Sequence, residues 1–407
     1  MPFACPHFLY VCAFKKQSMM NEKLIMKTTS YRPRNPGHDY YGIGTYLITL
    51  VVRGREPLFG RLGKDATHPE MQLSPLGEAV QQAWKQIPER QAEHGNRVEV
   101  HACVCMPDHF HGVIGVKEPM EWSLGDIMQA FKAKCTSQWQ RMQGLPDSRN
   151  RPILVDCSSS TAPLWLREKA KRFHSEGALI NNLSKKQRQQ YYALVGREQR
   201  PLFDDNYDDT VCLDSRHREA MIAYVHDNPR RAILRRALPD VMQRCLHVRI
   251  GGHSYGAFGN LFLLRWANKV QVQCHRKHPA NGQPYEETAD YTRQREQWEK
   301  AILGGATVMV TPGVSRGELL MKNECLGKGY PLIHIQKDPI GPYWKPERQR
   351  FDACANGSLL VLAPWELDLM EAVNGVPSDS DYSRFHNLNN LAAEICSFNG
   401  EAKIFKQ

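Results

Sequence analysis

Apolar and polar positions along this chain alternate in two distinct rhythms, one before about residue 235 and one after about residue 290. Gly44-Thr45-Tyr46-Leu47-Ile48-Thr49-Leu50-Val51-Val52 is β-branched and aromatic, which predicts a strand. Ser74-Pro75 followed by Leu76, Val80 and Trp84 predicts a helix, with Ser at the N-cap, Pro in the first turn and apolar residues about four apart. Val98 to Met106 and His109 to Val116 read as strands joined at Pro107-Asp108, hence a hairpin. From about Ser123 to Trp139, Leu124, Ile127, Met128, Phe131, Cys135 and Trp139 share one helical face. Strand, helix, strand, strand, helix is the order of a ferredoxin-like, split βαβ (RRM-like) antiparallel sheet of the α+β class.

The rhythm then breaks. Residues 145 to about 200 are irregular at first, then basic and helical, and are expected to form an insertion. A helix is predicted from about Ser215 to Asn228, ended by Pro229 and followed by Arg230, Arg231, Arg235 and Arg236. After about Tyr291, strands (306–310, 331–335, 358–363) alternate with helices, as in a small, mostly parallel α/β domain. The expected division is therefore 1–39 as a poorly ordered N-terminal extension, 40–250 as the first domain with its insertion at about 145–200, 251–290 as a linker with extra strands, and 291–407 as the α/β domain. Within the extension, residues 1 to about 25 read as lying upstream of the natural start: the apolar run Phe8 to Phe14 precedes Lys15-Lys16, the reverse of a signal peptide's order.

Charge sharpens this division. The 407 residues carry a formal net charge of +10, with 53 Lys+Arg against 43 Asp+Glu. The basic excess lies in residues 1–280, whereas 281–407 is mildly acidic. A basic first domain suits a polyanion, nucleic acid before membrane. No run of about 18 apolar residues exists, so no membrane span is expected. Twelve cysteines occur without a C-x-x-C pair, which argues against a zinc ribbon and for a reducing cytoplasm.

The candidate chemistry centres on His109-Phe110-His111. Residues i and i+2 of a strand point to one face, so both imidazoles aim at one place and suit a divalent metal. As a bare pattern the pair says little, and its flanks carry the argument. Met106-Pro107-Asp108-His109-Phe110-His111 resembles the signature of the single-tyrosine HUH transposases, the insertion-sequence and REP-associated tyrosine transposases. Tyr46-Leu47-Ile48-Thr49 with Pro57-Leu58-Phe59-Gly60, and Ser123-Leu124 through Lys132, are similar to the family's first strand and loop and to its helix after the HUH strand. Leu202 through Asp209 resembles the stretch bearing the nucleophilic tyrosine, and Tyr224 through Arg231 the segment that closes the domain.

The resemblance, over about residues 40–235, implies a bacterial, cytoplasmic enzyme that cuts and rejoins single-stranded DNA hairpins at element ends. It implies Mg²⁺ or Mn²⁺ held by His109 and His111, no ATP, and Tyr207 attacking the scissile phosphate to leave a 5′-phosphotyrosine and a free 3′-OH. Tyr191, Tyr192 and Tyr224 are rivals for that role but lack the flanking match. The family often places a Gln, His or Asn about one turn after its tyrosine; this chain has Thr210 and Val211 there, so Asp208 or Asp209, Thr210, or water would complete the metal shell. Arg53, Arg55, Arg61, Lys132, Lys134, Arg230 and Arg231 are candidate DNA contacts. A homodimer fits the resemblance, and a membrane partner does not.

Residues 291–407 resemble, weakly, Rossmann-like domains of the DNA-processing-protein and lysine-decarboxylase-like (LOG) families, through Gly304-Gly305-Ala306, Val310-Thr311-Pro312-Gly313 and Leu360 to Trp365. Thr311, Gly313 and Ser315 then form a candidate phosphate loop before a helix. Two other readings compete with the transposase: a non-catalytic, domesticated hairpin-DNA-binding protein, and a nucleotide-processing enzyme centred on the C-terminal domain.

Overall fold

The computed structural model describes residues 37–144, 153, 162–194 and 201–405. The expected extension up to residue 36 and the irregular first part of the insertion lie outside the described residues. The chain divides into two compact units between Ile233 and Leu234.

The first unit is built on β1 (Gly44–Val51), the short β2 (Gly60–Leu62) and β3 (Met71–Leu73), α1 (Pro75–Lys85), α2 (Ile87–Ala92), β4 (Val98–Met106), β5 (His109–Val116) and α3 (Leu124–Met142). The insertion supplies α4 (Leu164–Ala170), α5 (Glu176–Asn181) and α6 (Lys185–Leu194); β6 (Asp208–Val211) and α7 (Ser215–Ala237) follow. The main sheet has the order β4-β5-β1-β6 and is antiparallel throughout. β5 thus separates β1 from β4, the split βαβ arrangement expected from the strand and helix order. Ser74 caps α1 by accepting from Gly77 N, and Ser123 with Asp126 forms a capping box on α3.

Alternation along β1 decides what each face of the sheet holds. Tyr46, Ile48 and Leu50 are fully buried in a core shared with Trp84 of α1, Phe110 of β5, and Met128 and Phe131 of α3. The opposite face carries Ala102, Val104, Met106 and Val113, covered by Met221 and Val225 of α7. The insertion has a separate small core of Leu166, Leu179, Ile180 and Tyr191.

One expectation fails here. Pro229 does not end the helix, which runs on to Ala237. Proline removes one N–H and crowds the carbonyl four residues back. The Asn228 side-chain amide donates to the Tyr224 carbonyl at 2.8 Å, and Asn228, Pro229, Arg231 and Ile233 are all buried. Burial of this side of the helix outweighs the local penalty.

The second unit is one seven-stranded sheet of β7 (Arg244–Ile250), β8 (His253–Gly259), β9 (Asn268–Gln271), β10 (Thr307–Thr311), β11 (Leu332–Ile335), β12 (Leu359–Pro364) and β13 (Lys403–Ile404). Its order is β13-β7-β8-β12-β11-β10-β9, with β9 to β12 parallel. The helices are α8 (Ala289–Leu303), α9 (Arg316–Lys328), α10 (Gln349–Ala355) and α11 (Asp381–Ser397). Residues of α8, α9 and α10 (Trp298, Met321, Phe351) pack on one face with Met309 and Val361, and Leu388 and Leu391 of α11 on the other with Val308 and Leu360. Both faces are covered, so the parallel strands are continuously apolar.

This moves the expected boundary. The first domain does not extend to 250, because β7 belongs to the second sheet, and the extra strands expected in 251–290 are β8 and β9 of that same sheet. The parallel strands also follow one another in chain order, without the reversal that makes a Rossmann switch point.

Candidate functional site

The site starts from two alternate residues of β5. In register, His111 lies opposite Thr49 on β1, and His109 opposite Val51. The imidazole rings share a face with centroids 4.9 Å apart, nearly perpendicular. Asp108 Oδ1 lies 2.6 Å from His109 Nδ1, and Thr49 Oγ1 lies 2.8 Å from His111 Nδ1. Both rings are held through Nδ1, so coordination of a metal falls to Nε2 in each case. The hydrogen bond to His109 leads the effects that hold the Asp108 carboxyl down at about 2, with Arg55 also contributing. Between the two histidines, Phe110 points into the core, and Gly112 lies where a Cβ would run into the Trp84 indole, 2.6 Å from its Cε2.

Two oxygen-supported imidazoles on one face are a donor set that fits a divalent cation. Among the described residues, however, no group of three His, Cys, Asp or Glu side chains is arranged to hold a metal ion. The remaining positions would be filled by water or by the ligand. Asp208 is cross-strand from Thr49, which places it in the same row as His111; Thr210 lies two pairs further along, opposite Leu47. Asp209 falls on the other face, where its Oδ2 accepts from the Tyr40 hydroxyl at 2.9 Å.

The tyrosine in ring contact with the histidine pair is Tyr224 of α7, its centroid 5.5 Å from that of His111. Arg231 lies one turn and three residues further along the same helix, buried, with its guanidinium carbon 5.6 Å from the Tyr224 ring centroid. Asp227 sits between them and pairs with Arg230. Tyr224, Asn228 and Arg231 are spaced i, i+4, i+7, one face of a helix. That spacing was legible, but a helix ended at Asn228 hid Arg231 from it.

Tyr207 is placed differently. It precedes β6 by one residue and packs against the core cluster of the opposite face, with Leu50 and Phe131. It also lines two adjoining clefts of about 440 and 240 Å³, which share Asp205, Asn206 and Tyr207. Of the other rivals, Tyr191 is buried in the insertion core, where it donates to Glu176 at 3.0 Å, and Tyr192 stacks edge-on against it. Thr49 and Asp108, the supports of the two histidines, were not picked out from the sequence. Only strand register could show Thr49; Asp108 is adjacent to His109 in the motif itself.

The basic candidates divide into several roles. Arg53 pairs with Asp205 at 2.6 Å and Arg55 with Asp108 at 3.3 Å, both at the exposed rim. Arg61 is exposed on β2. Lys132 instead donates to the carbonyls of Asp204, Asp205 and Asn206, which ties down the loop before Tyr207. Lys134 donates to Gln86 at 2.8 Å. Arg231 lies beneath Tyr224 rather than at the surface.

The expected phosphate loop is already filled from within. Gly313 N donates to Thr311 Oγ1 at 3.0 Å, while Val314 N and Ser315 N donate to the buried carboxylate of Glu318 at 2.8 and 3.3 Å. Ser315 caps α9 in a capping box with that same Glu318. A carboxylate of the chain therefore occupies the amide groups that would have received a phosphate.

No protein-family model matches the chain. It is 30% identical over 124 residues to an uncharacterized protein of Haemophilus influenzae, a match over 26% of this chain and 64% of that protein, so the chain spans less than two thirds of this relative's length. Among solved structures, it is similar to a REP-associated tyrosine transposase bound to a REP hairpin (11% identity, TM-score 0.26, 50% of this chain and 73% of the other). It is likewise similar to a proposed transposase of Deinococcus radiodurans R1 (12% identity, TM-score 0.23, 49% of this chain and 98% of the other).

Proposed function

We propose that this chain is a transposase-type DNA strand transferase in which His109 and His111 hold a divalent metal and Tyr224, not Tyr207, is the nucleophile. The observation that carries this reading is the contact between the Tyr224 ring and His111 on the histidine face of the sheet. Mg²⁺ or Mn²⁺ bound there would supply Lewis-acid polarisation of a scissile phosphate. The residues of the chain do the rest. Asp108 and Thr49 fix the imidazoles, and Arg231, over the π face of Tyr224, favours the electron-rich phenolate as it forms. Attack makes a Tyr224 O–P bond and breaks P–O3′, and the phenol proton ends, net, on the released 3′ oxygen. Reversal by another 3′-OH rejoins strands without ATP.

Tyr207, half-buried and lining two clefts, is suited to stacking on an unpaired base, with Arg53 at the rim for phosphate. A labelled single-stranded hairpin incubated with Mg²⁺ or Mn²⁺ tests the assignment. A covalent adduct lost in Tyr224→Phe and kept in Tyr207→Phe is expected; an adduct kept in Tyr224→Phe overturns it. A second reading, a hairpin-binding protein that does not cut, draws on the lack of a three-residue metal cluster among the described residues. Tight hairpin binding with no adduct under either metal would favour it.

A further inference from the structure

The two units differ in where they leave positive charge without a carboxylate partner, and the second unit does so at two partly buried side chains. Arg350 of α10 is held by neutral acceptors: Nη2 donates to His334 Nδ1 at 3.1 Å and Nη1 to Gln336 Oε1 at 3.2 Å. His334 and Gln336 are themselves buried, at the C-terminal end of β11 and just beyond it. Because His334 Nδ1 accepts from Arg350, the hydrogen bond His334 makes to the Pro312 backbone must use Nε2–H, so the imidazole is neutral. Gln336 is fixed in turn by donating to the Asp338 carbonyl at 2.6 Å. The guanidinium is oriented, but not neutralised.

A second cation reaches the neighbouring strand end, since Thr311 of β10 pairs with His334 of β11 and Gly313 lies two residues beyond it. The Lys322 side chain of α9 lies along Gly313, with Nζ 3.6 Å from where a Cβ of that glycine would be. Its ammonium is depressed by burial and by the Arg350 charge, and no carboxylate counters either effect. Glu347 and Asp338 act on Arg350 only at a distance; among the described residues neither Arg350 nor Lys322 has an ion pair. Glu318, in the first turn of α9, accepts from the amides of Val314, Ser315 and Cys274.

Two partly buried cations without a counter-ion carry a desolvation cost that a bound anion would offset. Both lie by the C-terminal ends of parallel strands, where loops follow β10 and β11. A guanidinium fork with an ammonium matches an oxyanion, and two positive charges match the dianion of a phosphate monoester better than a single carboxylate.

We infer that Arg350 and Lys322, with His334 and Gln336 as the supports of Arg350, form a binding site in the second unit for a small ligand carrying a phosphoryl group. This site is separate from the Thr311–Ser315 amides, which are filled, and does not depend on the strand-transfer reading of the first unit. The test is calorimetric titration of the full chain with inorganic phosphate and with a nucleoside 5′-monophosphate, against chloride at equal ionic strength. Saturable binding to one site is expected, weakened about tenfold in Lys322→Gln and in Arg350→Lys, which keeps the charge but loses the fork. His109→Ala should bind as the wild type does, which separates this site from any phosphate contact at the histidine pair. Tighter binding of the monophosphate than of phosphate would identify an ester as the ligand, and equal binding free phosphate. If Arg350→Lys does not fold, Lys322→Gln, on a half-exposed helix position, carries the test alone. Absence of saturable binding by the wild type, or undiminished affinity in the variants that fold, overturns the inference.

Discussion

The two sheets of this protein deploy polar chemistry in opposite ways. The four-stranded antiparallel sheet buries one face under α1 and α3, and on the other sets two histidines, Thr49 and Asp208 beside an apolar patch covered by α7. The parallel strands of the seven-stranded sheet are covered on both faces, and their polar groups gather at the strand ends, in His334, Gln336 and the helix residues beside them. An antiparallel strand can afford alternate polar residues because one side need not be apolar. A parallel strand packed between helices cannot, so chemistry there moves to the loops.

The sharpest way to break this comparison is at the two tyrosines. Tyr224→Phe should abolish the hairpin adduct, a loss of about a thousandfold or more in cleavage rate. Tyr207→Phe should leave cleavage within about threefold, because a ring that stacks on a base needs no hydroxyl. Single-turnover cleavage of a labelled hairpin reads both. Equal losses would mean that the face of the sheet does not sort the two residues.

Next comes the apolar side of the histidine strand. Gly112→Ala puts a methyl group into the Trp84 ring and should cost about 1–3 kcal/mol in stability, read by urea unfolding. A neutral result would show that α1 can shift, and that the core face does not hold His109 and His111 in place. Thr49→Val removes the oxygen beside His111 Nδ1 with little change in shape. Metal affinity should fall about ten- to a hundredfold, measured by Mn²⁺ titration, with stability changed by only about 1 kcal/mol.

The smallest effect belongs to the second unit. The Glu324 carboxyl is held at about 2, first by its paired bonds to Arg295 and then by Lys328. A carboxyl lowered in the folded state stabilises above its unfolded pKa of about 4.3 and loses that contribution as pH falls towards 2. Glu324→Gln should therefore be about 1 kcal/mol less stable than the wild type at pH 7, and the two should converge between pH 4 and pH 2. A gap that persists at pH 2 would assign the effect to packing instead of charge.

Much of the first unit was legible in the residues. The β-branched run in 44–52, the Ser74 cap and the Pro107-Asp108 turn are local signals, and the structure carries each of them. The histidine pair was legible too, because i and i+2 share a face in any strand. The contact of Tyr224 with His111 was not. A motif flank favoured Tyr207, but β6 pairs with β1 so that Asp208 faces Thr49, which turns Tyr207 towards the opposite core. A one-residue shift in that register would reverse the outcome, and nothing local sets it. Pro229 misled for a related reason: its cost is local, whereas the buried side of α7 that outweighs it is not.

The sequence alone therefore determined the strand–helix–strand–strand–helix order of the first unit, the apolar side of α3, and a pair of imidazoles on one strand face in a basic region. Tertiary structure decided which tyrosine meets that site, and that the Thr311–Ser315 loop is closed by its own Glu318. It also decided that Arg350 and Lys322 lie by neighbouring strand ends without a carboxylate. The physical reason is common to all three. Each depends on residues far apart in the chain being brought together by strand register or helix packing, and spacing along the chain carries no record of that.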